Sequence, residues 1–147
     1  LYTRQDVQKL SLLAKASQSK KLLLVSHGPP KGKGQNGLDV IHDGSNVGDA
    51  MLSTMMTKDN IAFGIFGHIL ESGGRAVNSQ GEGVKPRVMS SSLLVNVGSA
   101  SAIPWKMLGG SSAEGMAMMV TFGRAGASYE VLTAAQAVTV KRKAGAK

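Results

Sequence analysis

The sequence predicts an α/β fold whose sheet mixes parallel and antiparallel strands. It reads as one domain over residues 1–140 followed by a basic tail at 141–147. Three observations carry this. Apolar runs of strand length occur at 22–25, 61–66 and, apart from Asn96, 93–97, the pattern of strands covered on both faces. One helical pattern precedes the first run and another separates the first from the second, and strands joined by helical crossovers lie parallel. Two later apolar runs flank Gly123-Arg124 and Gly126-Ala127, turn signals of an antiparallel hairpin.

Residues 4–18 carry Val7, Leu10, Leu13 and Ala14 at helical spacing, with Asp6 near the start, where a carboxylate suits the helix dipole. Lys20 and Lys21 lead into the first strand. From His27 to Ser45 the chain holds Pro29, Pro30, Gly32, Gly34, Gly37 and Gly44, and reads as loop. Asn46 is the expected N-cap of a second helix over 47–58, with Val47, Met51 and Met55 on one face and Leu52 and Met56 beside them as core. The second strand, 61–66, runs into a turn-rich segment at 67–74. Residues 78–91 read as a polar loop. A third strand, 93–97, closes on Gly98-Ser99. Strands are expected at 116–122, 129–132 and 138–140.

Apolar residues make up 42% of the 147 positions, enough for a folded core. No apolar stretch is long enough to span a bilayer and no leader pattern is visible, so no membrane partner and a cytoplasmic setting are expected. Because the chain starts at Leu1, further residues upstream are also expected. The absence of cysteine excludes disulfides and Cys-type zinc sites. Lys and Arg outnumber Asp and Glu 17 to 9, giving +8, which favours anionic partners such as phosphorylated substrates or nucleic acid. Aromatics are only 4%, so base stacking gives the nucleic-acid reading no support. Lys31 and Lys33 could draw a phosphate. Their loop is no P-loop, because the Gly-Lys-Ser/Thr ending is missing.

His27 and His68 hold the chemistry. Each follows an apolar run, and each adjoins a glycine, Gly28 or Gly67, that allows a tight turn. The carboxyl ends of such strands face the ligand crevice of open α/β sheets. Imidazole is the commonest metal ligand, so the pair reads as part of a site for Mn, Fe or Zn. His42 has no partner in the sequence. Asp39, Asp43 and Asp49 read as solvated or capping residues. Glu71 is a candidate acceptor for His68, and Trp105 an anchor for its loop.

The motifs His27-Gly28-Pro29-Pro30, Asn46-Val47-Gly48-Asp49, Gly67-His68 and Asn96-Val97-Gly98-Ser99 resemble the C-terminal half of calcineurin-like metallophosphoesterases, over about residues 20–110. The resemblance implies half of an αββα sandwich and a dinuclear centre where a metal-bound hydroxide attacks a phosphate ester. It places His27 and His68 on the second metal. Leu70 stands where the family has the second histidine of Gly-His-x-His, and the family's early Asp, Asn and His motifs have no counterpart before His27. The chain alone is therefore expected to be inactive and to need a complementary N-terminal half or second chain. One alternative is a non-catalytic relative used for binding or assembly. The other is a basic nucleic-acid-binding domain.

Overall fold

Thr3 starts the first helix. Its hydroxyl accepts the Asp6 amide while the Asp6 carboxylate accepts the Thr3 amide, a reciprocal capping box at the N-terminus of α1 (Arg4–Ala16). The computed structural model describes residues 2–17 and 21–134. The strand expected at 138–140 and the tail at 141–147 lie outside the described residues. The bonds from the Thr3 hydroxyl and amide hold the Asp6 carboxyl below its ordinary value of 3.8. A carboxyl lowered on folding stabilises the fold above its unfolded pKa, and that contribution is lost as pH falls through the folded value. Acidification from 3.8 downward is therefore expected to fray the first turn of α1. Amide exchange at Thr3 and Val7 would show it, and the Asp6→Asn variant should lack the acid dependence. Protection that ignores pH in the parent chain would refute the assignment.

The second helix starts later than the sequence suggests. Asp49, not Asn46, caps α2 (Ala50–Lys58), its carboxylate accepting the Leu52 amide at 2.8 Å. Asn46 is engaged elsewhere, donating to Asp39 Oδ1 at 2.8 Å. The shift changes which residues are covered. Leu52, Met55 and Met56 are buried, while Val47 and Met51 are exposed. Lys15 of α1 lies 3.8 Å from the buried carboxylate of Asp59, which caps the C-terminus of α2.

Four strands form the main sheet: β1 (Leu23–Val25), β2 (Phe63–Phe66), β3 (Ala76–Val77) and β4 (Leu93–Asn96). Their spatial order is β1-β2-β4-β3, with β1, β2 and β4 parallel and β3 antiparallel to β4. The mixed α/β sheet expected from the sequence is present. Leu24 and Phe66 lie on one face and join Val7, Leu52, Met55 and Met56 of the two helices. Phe63, Leu93 and Val95 lie on the other, against the hairpin of β7 (Met116–Gly123) and β8 (Gly126–Thr133), whose Ala127 and Tyr129 are buried there. Three layers result: helices, sheet, hairpin. Two short strands, β5 (Trp105–Lys106) and β6 (Ser112–Ala113), pair as a ribbon. Trp105 is anchored as expected, its indole donating to Leu70 O at 3.1 Å.

The first strand departs from expectation. Only Leu24 of β1 is buried; Leu23 and Val25 are 44% and 66% exposed. Position explains this. β1 is the edge strand, and Leu23 and Val25 lie on the hairpin side of the sheet, in register with Phe63 and Ile65. The hairpin packs chiefly over β2 and β4 and leaves them open. No helix among the described residues is long and apolar enough to cross a membrane.

Candidate functional site

Three parallel strands end at the same level, and their next residues make the site. Ser26 N donates to Ile65 O at 3.1 Å, carrying the β1 pairing one residue past the strand. Beyond it, Gly67 N donates to His27 O at 3.0 Å, and Val97 N to Phe66 O at 2.8 Å. The turns bearing His27 and His68 are thus joined backbone to backbone. Gly28 N donates to the Tyr2 hydroxyl at 2.9 Å, so the segment before α1 steadies the first turn.

The two imidazoles converge, with ring centroids 4.5 Å apart and planes tilted by 51°. Both side chains are exposed to an open cleft of about 480 Å³, whose walls include Ser26, Leu70, Gly98 and Ser99. A second groove of about 430 Å³ lies between α1 and α2, and Val7, Met51 and Met55 line it without any imidazole or carboxylate.

His68 has a φ of 70°, and Ile69 N donates to Gly67 O at 2.8 Å across it. An i to i+2 bond with positive φ at the central residue is a γ-turn of the rare, strained kind. Such strain is of order 1–3 kcal/mol, and a non-glycine residue holds it only where its surroundings fix it.

Those surroundings centre on residues the sequence left without a site role. Asn96, fully buried at the end of β4, donates from Nδ2 to Leu38 O at 2.9 Å and to Ile69 O at 2.8 Å. Its Oδ1 accepts the Gly98 amide at 3.0 Å. Ser72 donates to Val40 O at 2.6 Å, a second tie between the His68 turn and the loop after His27. Asp39 is neither solvated nor a cap. It is fully buried, and its carboxylate accepts the Gly32 amide at 3.1 Å, the Gly48 amide at 2.8 Å and the Asn46 side chain.

The other candidates stand apart. Asp43 accepts the Ser45 amide at 2.7 Å, which with the Ser45 side chain holds its carboxyl below the ordinary range, and Asp49 caps α2. His42 is exposed in the 41–44 turn. Glu71 makes no hydrogen bond to His68 among the described residues. Lys31 and Lys33 are exposed and do not line the cleft.

Two imidazoles at this separation suit a borderline divalent ion such as zinc. Among the described residues no three His, Asp or Glu side chains gather as a metal-holding group. The donor set therefore fits part of a coordination sphere, and the cleft is open where further ligands would enter. Comparison with protein-family models, curated proteins and solved structures gives no match.

Proposed function

We propose that this chain is the histidine-bearing half of a metal-dependent phosphoesterase, hydrolysing phosphate esters together with a complementary polypeptide. The observation that carries the reading is the convergence of His27 and His68, 4.5 Å apart, at the ends of adjacent parallel strands. The layers support it as well: helices, sheet and hairpin correspond to three of the four layers of an αββα sandwich. In this reading His27 and His68 hold a Mn, Fe or Zn ion. Such an ion supplies charge neutralisation at the phosphoryl group and a water of lowered pKa. The chain's own part is to orient the imidazoles through the 67–27 backbone bond and to present an open cleft to the ester.

The partner's place follows from β1. In a parallel ladder alternate residues direct both backbone groups to one side. Ser26 and Leu24 face β2, so Leu23 and Val25 turn theirs outward, on an edge that no described strand covers. An edge with bare backbone groups and two exposed aliphatic side chains invites an added strand. A strand laid parallel to β1 would end beside His27, where ligands are wanting.

Zinc titration of the purified chain by calorimetry tests the metal half of the reading. Binding is expected in the parent, with loss of about tenfold or more in both His27→Ala and His68→Ala. Binding that survives both changes, or none in the parent chain, rejects the site. The partner half is read by native mass spectrometry of the particle isolated from its source, where a stoichiometric second polypeptide is expected.

Leu70 supports a second reading. It lines the cleft where a metal ligand would complete the Gly-His-x-His pattern, and it brings none. A non-catalytic binding module would keep zinc and the partner, yet release no phosphate from p-nitrophenyl phosphate once assembled.

A further inference from the structure

We infer that Asn96 is the positioning residue of the histidine pair, a role that rests on the metal-site reading above. Its amide ties together three segments at once, behind the cleft. Nδ2 holds Ile69 O, one residue past the strained His68, and Leu38 O, in the loop that follows His27. Oδ1 holds the Gly98 amide on the opposite wall. The orientation is forced, because two carbonyls need donors and one N–H needs an acceptor.

The strain gives this contact its consequence. Across His68 itself the backbone makes the Ile69–Gly67 bond, and Ile69 O is held by Asn96 at 2.8 Å and, more loosely, by the Ser72 amide at 3.3 Å. Without the Asn96 donor, Ile69 O keeps only the longer Ser72 bond, positive φ at a histidine is no longer enforced, and the turn relaxes toward the α or β region. The imidazole then swings away from His27. Asparagine is the residue type suited to the task. Serine has one donor, and ionised aspartate has none and would set a charge against two carbonyls.

The test uses the full chain, with zinc alone as the probe. Asn96→Asp keeps size and the Gly98 bond while removing both donors. Asn96→Ser keeps one donor at lower volume. Ser92→Ala is the control, since Ser92 is also buried and accepts the Ser79 amide at 2.9 Å, in a different part of the sheet. Two readouts are taken: the nuclear Overhauser contact between the His27 and His68 rings, and zinc affinity. For Asn96→Asp and Asn96→Ser the ring contact should vanish and zinc binding weaken about tenfold to a hundredfold, the range for residues that orient metal ligands. Ser92→Ala should keep both.

Unchanged ring contact and affinity in folded Asn96 variants overturns the role while leaving the metal site standing. Loss of equal size in Ser92→Ala overturns it too, since any destabilisation would then act alike. Failure of both Asn96 variants to fold assigns the residue to the fold rather than to the turn, and also overturns it. A parent chain that binds no zinc removes the metal reading itself. The ring contact then still reports whether Asn96 sets the imidazoles.

Discussion

Phe66→Ala is expected to cost about 3–5 kcal/mol, the range for removing a buried aromatic ring. Against a typical total of about 5–15 kcal/mol, that leaves a large unfolded fraction at moderate denaturant. Phe66 is the largest of the fully buried side chains and sits on the helix face of β2 with Leu52, Met55 and Met56. The site cannot collapse easily around a void. Gly64, two residues earlier on the same face, lies so close to the Phe66 ring that a Cβ there would overlap it, so the pair is packed as ring against bare backbone. Phe66 also directly precedes Gly67 and His68. The substitution should therefore lower the urea midpoint and loosen the ring contact in the same sample. A midpoint close to the parent's would mean that the helices repack over the gap, and that the helix-face core is softer than its burial suggests.

The fold was legible where one physical rule decides the pattern. The hairpin was read from turn glycines between two apolar runs, and Gly126 shows why: at φ 144° it lies against the Ser90 backbone, where no side chain would fit. β2 and β4 were read from largely apolar runs, broken in β4 only by Asn96, because both of their faces are covered. The same rule overreached at β1, where the run is equally apolar but the sheet ends. Sequence records what a strand prefers to bury, not whether this chain provides the cover. β3, β5 and β6 span two residues each, too few to leave a period. Among site residues, the two histidines were found by their place after strands. Asn96 was legible only as bonding across its own turn and Asp39 only as a solvated or capping residue, because most of their partners are main-chain groups. Asp39 receives amides seven and nine positions away, and Asn96 binds Leu38 O across 58 positions. No side-chain pattern marks such contacts. A signal was nonetheless present: Gly32 and Gly37, before Asp39, lie so close to its carboxylate that a Cβ at either would overlap it, and close approach of backbone to a buried acid is one reason for such spacing.

Asp39→Ala is expected to rival the Phe66 change, by a different route. Hydrogen bonds to charged groups contribute about 1.5–3 kcal/mol each, and a buried donor left without a partner costs about 1–3 kcal/mol. Three donors depend on this carboxylate: the Gly32 and Gly48 amides and the Asn46 side chain. The effects overlap, since the three belong to one network. A loss of about 3–6 kcal/mol follows from two independent bonds' worth. The loop also gives this change a local signature that the Phe66 change lacks. Residues 27–49 contain no helix and form only isolated bridges, Pro30 with Asp49 and Val40 with Asn46, so side-chain bonds carry much of their order. Arg75 adds one from outside, donating to Gln35 O at 2.6 Å, and burial holds its pKa below the ordinary value. With the carboxylate gone, amide exchange at Gly32, Gly48 and Val47 should accelerate by orders of magnitude more than exchange in the β7–β8 hairpin. Leu38 O, one residue before Asp39, is held by Asn96, so disorder entering here reaches Asn96 and, through Ile69 O, the His68 turn. Asp39→Asn separates charge from shape: it keeps one acceptor and turns an amide donor on its neighbours, and should recover less than half of the loss. Uniform acceleration across loop and hairpin alike would instead make Asp39 a prop of the whole domain, and the loop would no longer count as separately ordered.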